Sequence, residues 1–387
     1  MKILFYSPHS QLYFEAPTGY GSHMRGMVAG FEELGHEVEI LVMGKLMTSV
    51  ESKPSEKSKL KKWIPTFIWR TMKEIQWIRF DKKAAQCLEE KIKEFQPHLI
   101  YERSAWMSDK SSRVIKKYNI PHVVEINAPL EQETKSFEGS FSFTHWIGKK
   151  KFKNILSNCN AIASINSKLT AYLSGRYDIP LSKFIFTPNA ISTEELKLAE
   201  QAKVHEKISP LTSNFVFGFV GSIFPYHGID TCIRAFACMK NTNSHLLIVG
   251  DGYSIPQYQK LAQQLNIQSQ ITFTGAVAKS EIWNYLAGMD VYLLPSTAWY
   301  CSPVKLFEYA AMNKPIIAVD QAGVTDIFSP EACTIFDGSV EKLSSIFKAH
   351  FHSKETYINQ ALEAKKIIMD NHIWHKNAFK IIAHLHQ

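Results

Sequence analysis

The sequence of 387 residues contains no run of about 18 apolar residues, so no membrane-spanning helix is expected. Its first residues, MKILFYSPHS, lack the long apolar region and the small-residue cleavage site of a signal peptide. The six cysteines form no C-x-x-C pair, so neither a zinc site nor a disulfide framework is indicated. We therefore expect a protein of the reducing cytoplasm.

Positive charge is concentrated in one segment. Residues 53–83 contain ten Lys or Arg and three Asp or Glu, within a chain of net charge +8. Trp63, Phe67, Trp69 and Trp77 lie among them, a mixture that suits an anionic membrane surface. The sequence contains no recognised nucleic-acid motif, so no nucleic-acid partner is expected. The alternative is a solvated helix whose aromatic residues face the protein's own core.

Strand and helix patterns alternate from the start of the chain. A predicted strand at 3–6 is followed by a loop at 7–22, an amphipathic helix ending at Gly35, and a strand at 37–42. Such a βαβ unit is typical of a parallel sheet. Further strands are predicted at 99–101, 122–126, 161–165 and 184–186.

A second alternation follows a polar segment at 194–214, which is predicted to be a linker. Its strands are expected at 215–220, 245–249, 271–273, 291–294 and 316–319, with helices at 228–239, 255–265 and 302–312. The sequence thus predicts an α/β protein of two Rossmann-like doubly wound domains, 1–190 and 191–370. A C-terminal helix at about 371–387 is expected to pack back on the first.

Ligands bind such sheets at the carboxyl ends of the strands, so the loops there are candidate sites. One loop runs from Gly221 to Gly228, with His227 near a helix start. Taken alone, this loop is better explained as an ordinary turn with a surface histidine. Gly250 and Gly252 form a weaker G-x-G, without the third glycine of a dinucleotide fingerprint, which disfavours a dinucleotide oxidoreductase.

The strongest candidate is the segment SPVKLFEY after the strand at 291–294. Ser302 is predicted to cap a helix whose first residue is Pro303. Lys305 adds charge to that helix start, a combination that fits a diphosphate. Glu308, three residues on, is suited to accept hydrogen bonds from ribose hydroxyls. The alternative, an intrahelical Lys305–Glu308 pair on a solvated face, does not account for the Ser-Pro cap.

The motifs GSIFPYHG, IVGDG, FTG, DVYLLPS and SPVKLFEYAAMNKPIIA occur in this order. Together with GYGSHMR, GHEV and PNAI earlier in the chain, they resemble the family 4 retaining glycosyltransferases of the GT-B type. The resemblance implies two domains facing across a cleft and transfer of a sugar from a nucleotide-sugar donor to an acceptor hydroxyl with retention. It implies a role in surface polysaccharide, lipopolysaccharide or glycolipid synthesis, no cofactor, and UDP or GDP as the nucleotide.

The expected site residues, some inferred from the residues themselves and some implied by the resemblance, fall into three groups. Lys305, Glu308 and His227 form the expected catalytic group, with Glu308 on the ribose. The expected donor-binding residues are Gly221, Ser222, Gly228, Gly250, Gly275, Tyr300, Cys301, Ser302, Pro303 and Val304. Those expected beside the acceptor are Gly19, Tyr20, Gly21 and Ser22, as a glycine-rich loop, with Arg103, Glu125 and Asn127.

The chain departs from the family pattern at several of these positions. Ser222 and His227 stand where many members have Arg and Lys, Tyr300 where many have Glu, and Asn127 where a His is frequent. A non-catalytic nucleotide-sugar or carbohydrate-binding protein of the same fold is therefore an open alternative. Because no D-x-D cluster lies in a donor loop, we expect no metal, its role being taken by Lys305, His227 and the helix start.

The acceptor is expected to be a glycan or a lipid-linked intermediate. The segment 53–83 and the cluster at 149–153 suit an acceptor at the inner membrane face, with the protein bound there peripherally.

Overall fold

The structure, a computed structural model, describes residues 1–16, 18–46, 65–138 and 142–386. They divide into two units. Unit 1 comprises Met1–Pro188 and Trp374–Gln387, and unit 2 comprises Asn189–Ile373. The expected boundaries at 190 and 370 lie two and three residues from the observed ones. Lys53, Lys57, Lys59, Lys61, Lys62 and Trp63 of the basic segment lie outside the described residues.

Unit 1 contains a parallel sheet of six strands in the order β2-β1-β3-β4-β5-β6. The strands are β1 Lys2–Ser7, β2 Glu37–Val42, β3 Leu99–Arg103, β4 His122–Ile126, β5 Ala161–Ser164 and β6 Phe184–Phe186. Four of them, β1, β3, β4 and β5, are buried almost throughout because helices cover both faces of the sheet.

The helices of unit 1 follow the strands in the chain. They are α1 Gly19–Glu33, α2 Thr66–Phe95, α3 Lys110–Lys117, α4 Leu130–Glu138, α5 His145–Asn158, α6 Ser167–Tyr177 and the C-terminal Trp374–Leu385. Helix α2 packs Leu88 and Ile92 against Leu4 and Ile100 of the sheet. The C-terminal helix packs on α1, where Trp374 lies against Gly26.

Unit 2 has a second parallel sheet, in the order β12-β11-β10-β7-β8-β9. Its strands are β7 Phe215–Val220, β8 Ser244–Val249, β9 Ile271–Phe273, β10 Val291–Leu294, β11 Ile316–Val319 and β12 Thr334–Phe336. Alternate residues of β7 enter opposite cores: Val216 and Val220 lie in one, Phe217 and Phe219 in the other.

Helices cover both faces of this sheet. They are α7 Thr193–Gln201, α8 Ile229–Ala237, α9 Ile255–Gln264, α10 Ile282–Ala287, α11 Val304–Ala311, α12 Ala322–Thr325, α13 Val340–His352 and α14 Ile358–Asn371. The C-terminal helix of unit 1 is therefore α15. The predicted fold class, two Rossmann-like doubly wound domains, is confirmed.

The segment 194–214 is not a linker, which corrects the prediction. It forms α7 and a 3-10 helix at Glu206–Ser213, and both belong to unit 2. Ser192 and Glu195 form a capping box that starts α7. Leu196 and Ile208 are buried in the core, so apolar burial overrides the polar composition.

The predicted loop at 7–22 is also shorter than expected. Helix α1 begins at Gly19, so Gly19, Tyr20, Gly21 and Ser22 form its first turn and not a glycine-rich loop. Gly21 is required by close packing, because a Cβ there would overlap the carbonyl group of Ala16.

Strand order locates the candidate ligand sites. A doubly wound sheet binds ligands where adjacent strands lead to opposite sides, because the loops after them separate. In unit 1 this point lies between β1 and β3, and in unit 2 between β7 and β10.

Gly26 provides a test of the packing of α15 on α1. A Cβ at Gly26 would overlap the ring of Trp374, and overpacking of this kind costs about 1–3 kcal/mol. Thermal unfolding of Gly26→Ala should therefore show a lower Tm. Gly175→Ala, also in a helix but facing open space, should leave Tm unchanged or raise it. Equal Tm changes for the two variants would contradict the packing role of Gly26.

Candidate functional site

Helix α11 follows β10 at the switch point of unit 2 and is anchored there by Tyr309. The fully buried Tyr309 hydroxyl accepts a hydrogen bond of 2.9 Å from the backbone N–H of Val220, the last residue of β7. Its ring stacks on Tyr292 of β10, with centroids 4.8 Å apart. These contacts hold α11 against both strands that flank the switch point.

Lys305 reaches from the first turn of α11 to the end of β7. Its Nζ lies 4.2 Å from the centroid of the Phe219 ring, a cation–π contact. Gly221 leaves room for it, since a Cβ there would come within 2.7 Å of Nζ. Burial lowers the pKa of Lys305 to about 8, against the opposing effects of Glu308 and Cys301. A bound anion would restore the ordinary pKa of this ammonium group.

Glu308 lies one helical turn after Lys305. Burial raises its pKa to about 7, and Glu195 adds to the rise while Lys279 and Lys305 oppose it. The intrahelical Lys305–Glu308 pair is not among the ion pairs of the described residues. Burial makes the charged form of Glu308 unfavourable. Hydroxyl groups that donate hydrogen bonds to its carboxylate would therefore stabilise that form.

Ser302 does not cap α11, which corrects the prediction. The helix starts at Val304 with Pro303 in the N-cap position. The buried Ser302 hydroxyl accepts a hydrogen bond of 2.9 Å from the backbone N–H of Asn189, and the Asn189 amide donates to the Ser302 carbonyl. Because the hydroxyl is committed to Asn189, the N–H groups of the first turn have no side-chain cap from Ser302.

His227 belongs to the 3-10 turn Pro225–His227 in the loop after β7. Its ring lies 4.3 Å from the ring of Tyr226 and 5.6 Å from that of Phe219, centroid to centroid. Burial and nearby Lys305 lower its pKa to about 3, so the ring is neutral at pH 7. Its buried Nδ1 has no hydrogen-bond partner among the described residues. His227 therefore offers hydrogen bonds at this site and not positive charge.

Four predicted glycines bring the loops of unit 2 together. Gly250, with φ of 126°, donates a hydrogen bond of 3.2 Å to the carbonyl of Gly275. A Cβ on Gly250 would overlap the Gly221 carbonyl, and one on Gly228 would approach Ser296 within 2.9 Å. The loops after β7, β8, β9 and β10 thus converge.

The remaining predicted donor residues lie in the loop after β7 and in the segment that leads into α11. Ser222 is exposed, and Tyr300 contacts Trp299 ring to ring at 5.5 Å in the loop before α11. Cys301 is close enough to Lys305 to favour its charged form.

In unit 1 the buried Glu125 gathers hydrogen-bond donors at the end of β4. Tyr101 and Arg103 each donate to it at 2.7 Å, the Asn127 amide donates to it, and His23 Nε2 lies 3.0 Å away. Burial alone would raise the pKa of Glu125, but His23 and Arg103 outweigh it and hold the pKa at about 2. Glu125 is thus a permanent anion that orients its neighbours.

A polar cavity of 200 Å³ lies beside Glu125, at the switch point of unit 1. Its walls include four predicted residues, Tyr20, Arg103, Glu125 and Asn127. Asn127 Oδ1 and, in the same wall, the Ser104 hydroxyl are buried without a hydrogen-bond partner among the described residues. Since the Asn127 nitrogen faces a carboxylate, its oxygen is left to accept a hydrogen bond from a ligand hydroxyl. Gly19, Gly21 and Ser22 do not line the described walls of this cavity.

Sequence reasoning missed several residues of both sites. Tyr309 and Phe219 position Lys305, yet both occur at ordinary core positions of a helix and a strand. His9 and Glu133 line the polar cavity, and only the position of His9, just after β1, signalled a site.

Two further properties hold for the described ranges alone. They contain no group of three or more His, Cys, Asp or Glu side chains arranged to hold a metal ion. None of their helices is both long enough and apolar enough to cross a bilayer.

Two protein-family models match the chain, one in each half. The model described as Glycosyltransferase Family 4 matches residues 17–195, and the model described as Glycosyl transferases group 1 matches residues 214–346.

Similar proteins include enzymes of glycolipid synthesis. The phosphatidylinositol N-acetylglucosaminyltransferase GPI3 subunit of Saccharomyces cerevisiae is 20% identical over 193 residues, which is 49% of this chain and 42% of that protein. The match thus spans less than half the length of that relative. The alpha-monoglucosyldiacylglycerol synthase of Acholeplasma laidlawii is 23% identical over 329 residues, 80% of this chain and 78% of that protein.

Among solved structures, HepE from Anabaena in complex with UDP is similar with a TM-score of 0.68. The sequence identity is 16%, and the match covers 100% of this chain and 99% of HepE. This likeness shows a common fold.

Proposed function

The chain belongs to the family 4 glycosyltransferases of the GT-B type, and we propose that it moves a sugar from a nucleotide-sugar donor to an acceptor hydroxyl with retention of configuration. The observation that carries this proposal is the placement of Lys305 and Glu308. Both project from one helix at the switch point of unit 2, one turn apart, as a diphosphate and its adjacent ribose require. Retention is the outcome typical of the family.

Departure of a nucleoside diphosphate places negative charge on the leaving phosphate. Lys305 and the N–H groups at the start of α11 lie where they would stabilise that charge. Neutral His227 would add a hydrogen bond. We propose that these groups act without a metal ion, since the sequence has no D-x-D cluster in a donor loop.

The proposed donor carries UDP or GDP, and HepE, the neighbour named above, binds UDP. The proposed acceptor hydroxyl enters the polar cavity of unit 1. Asn127 Oδ1 would accept a hydrogen bond from it, and Arg103, held by Glu125, lies in the same wall.

We also propose that unit 1 binds an anionic membrane through a surface formed by α2 and α5, here called the basic–apolar surface. On α2, Ile68, Met72, Ile75, Arg79, Lys82 and Lys83 share one exposed face. On α5 and just before it, the exposed residues are Phe143, Trp146, Lys150 and Lys153, with half-buried Lys149 on the same face.

One contact joins the two parts of this surface. The rings of Phe67 and Phe143 meet at 5.6 Å, and Thr71 accepts a hydrogen bond from the backbone N–H of Phe143. Phe143 is 61% and Trp146 65% exposed. Apolar side chains at the start of each helix therefore adjoin basic side chains further along it. This fits lipid headgroups, where Trp is favoured and each Lys or Arg adds about 1 kcal/mol.

Part of this region supports the alternative drawn from the sequence. Phe80 packs against the core of unit 1, as the solvated-helix alternative requires. In the cluster at 149–153, Lys151 is paired with Asp81 and Phe152 is buried, so these two do not belong to the surface.

The donor site is tested with Lys305→Ala. Loss of a charge-assisted hydrogen bond of about 1.5–3 kcal/mol should raise the donor KM about 10- to 100-fold. A thermal-shift screen with UDP-, GDP-, ADP- and CMP-sugars first identifies the donor, and the donor KM is then measured in a sugar-transfer assay. Observed transfer of the sugar would exclude the non-catalytic alternative. Lys342→Ala, an exposed lysine of the same unit, is the control. Equal donor KM values for Lys305→Ala and the wild type would refute the proposal.

Donor affinity should also depend on pH in a bell-shaped manner. Glu308 must be ionised to accept ribose hydroxyls, so affinity should fall as pH drops below its pKa of about 7. Lys305 must be protonated, so affinity should fall as pH rises above its pKa of about 8. In Glu308→Gln the acid limb should disappear and the alkaline limb remain. An acid limb that persists in Glu308→Gln would show that another group causes it.

Membrane binding is tested by co-sedimentation with vesicles. The wild type should sediment with anionic vesicles, release at high salt, and ignore neutral ones. Replacing Lys149, Lys150 and Lys153 with Glu should weaken binding at least about tenfold, given about 1 kcal/mol per charge. Phe379→Ala, equally exposed on α15, should bind normally. Equal binding to anionic and neutral vesicles would contradict the proposal.

A further inference from the structure

A second chamber adjoins the polar cavity of unit 1. It encloses 290 Å³ and shares His9, Leu12, Leu130 and Glu133 with that cavity. We propose that the acceptor is amphiphilic, with its hydroxyl-bearing head in the polar cavity and an attached apolar segment in this chamber. The inference rests on the proposed glycosyl transfer and names its acceptor class.

The second chamber has an aromatic wall. Trp77 and Phe80 of α2 line it, together with Trp106 from the loop after β3. Leu12 and Leu130 add aliphatic surface where it meets the polar cavity. Walls of this kind favour an apolar ligand because water leaves apolar surface on both partners.

Several polar groups of the chamber are already engaged. Asp81 accepts hydrogen bonds from the Ser108 hydroxyl at 2.8 Å and from Lys151 Nζ at 2.9 Å. The Thr134 hydroxyl donates to the Leu130 carbonyl at 2.6 Å. A sugar ring in the chamber would therefore lose hydrogen bonds to water without replacing most of them, whereas an apolar segment would not.

The polar cavity shows the opposite character. Asn127 Oδ1 and the Ser104 hydroxyl are buried there without a partner among the described residues. An unpaired buried polar atom destabilises the protein, and a hydroxyl-bearing head would remove that cost by pairing with it. The two chambers thus complement the two parts of one amphiphilic molecule.

His9 and Glu133, which line both the polar cavity and the second chamber, also suit an amphiphilic ligand. His9 Nδ1 accepts a hydrogen bond of 3.1 Å from the backbone N–H of Gln11. Burial and nearby Arg103 lower the pKa of His9 to about 4, and burial raises the pKa of Glu133 against the effect of Arg103. Both shifts favour neutral side chains where an apolar segment would pass.

The aromatic chamber is preformed, because a buried polar network fixes α2. The Trp106 indole N–H donates to Glu74 at 3.4 Å, and Glu74 pairs with Arg70 inside the protein. Lys151 of α5 bonds Asp81 and Asp109. A wall held in this way loses little entropy when it binds a ligand.

The same helix also contributes to the basic–apolar surface. Ile75 and Arg79 lie on its exposed face, whereas Trp77 lies on the opposite side of the helix, among its buried residues, and Phe80 lies between the two. One helix thus contributes to the chamber wall on one side and to the basic–apolar surface on the other.

The test compares two probes with one head, n-octyl β-D-glucopyranoside below its micelle-forming concentration and methyl β-D-glucopyranoside. Ligand-detected NMR titration of the full chain should give at least about tenfold tighter binding of the octyl compound, since each buried methylene favours binding. Trp77→Ala should reduce that preference at least about fivefold, and the conservative Trp77→Phe should retain most of it. Phe379→Ala, an aromatic-to-alanine change at an exposed position of α15 outside the chamber lining, should retain all of it.

Several outcomes would overturn the inference. They are equal binding of the two glucosides by the wild type, tighter binding of maltose than of the octyl compound, or equal loss of preference in Phe379→Ala and Trp77→Ala. Thermal shifts with the nucleotide-sugar panel, recorded on the same samples, test the proposed function separately. Normal donor shifts without an octyl preference would overturn the chamber alone. Absent donor shifts would overturn the glycosyl transfer itself.

Discussion

The Lys305 ammonium rests on the face of the Phe219 ring, in space that exists because Gly221 has no side chain. This contact links the helix after β10 to the end of β7, across the switch point of the sheet. The Tyr309 hydroxyl holds the same helix to Val220 one turn later. An ammonium group kept partly out of water in this way is poised to gain a strong interaction when an anion arrives.

In unit 1 the buried charged group at the centre of the site is an anion, whereas in unit 2 it is a cation. Glu125 is buried and surrounded by the donors of Tyr101, Arg103 and Asn127. Its charge decides which end of the Asn127 amide faces the cavity. Glu125 thus determines which hydrogen bonds Asn127 can offer to a ligand, although Glu125 itself is occupied by its protein donors. Both units are doubly wound parallel sheets, although their strand orders differ, and they place charge of opposite sign at the centre of their sites.

Most of the fold was predictable because strand and helix periods are strong in this chain. Every strand predicted from 215–220 onward is present, at or within one residue of its expected bounds. The segment 194–214 was misjudged because its composition is polar, whereas two buried side chains, Leu196 and Ile208, decide its structure. The first turn of α1 was misjudged because glycine was associated with a loop, although Gly21 serves close packing.

The candidate sites were predictable in part. The motif SPVKLFEY gave Lys305 and Glu308 but a wrong cap, because the Ser302 hydroxyl is used by Asn189, 113 residues away in the chain. Such distant partners leave no local pattern. The aromatic chamber was not predicted, since Trp77, Phe80 and Trp106 become neighbours only through the packing of α2.

Unit 2 is inserted into the sequence of unit 1, whose last helix follows it. The ends of unit 2 are paired, for Ile191 forms a parallel bridge with Ile373 and donates its N–H to the His372 carbonyl at 3.0 Å. A gene fragment encoding 189–373 would therefore produce a polypeptide whose termini already meet. Unit 1 is not one continuous segment of the sequence, because unit 2 lies between its two parts. To produce unit 1 alone, a short linker peptide would have to join Pro188 to Trp374 in place of unit 2.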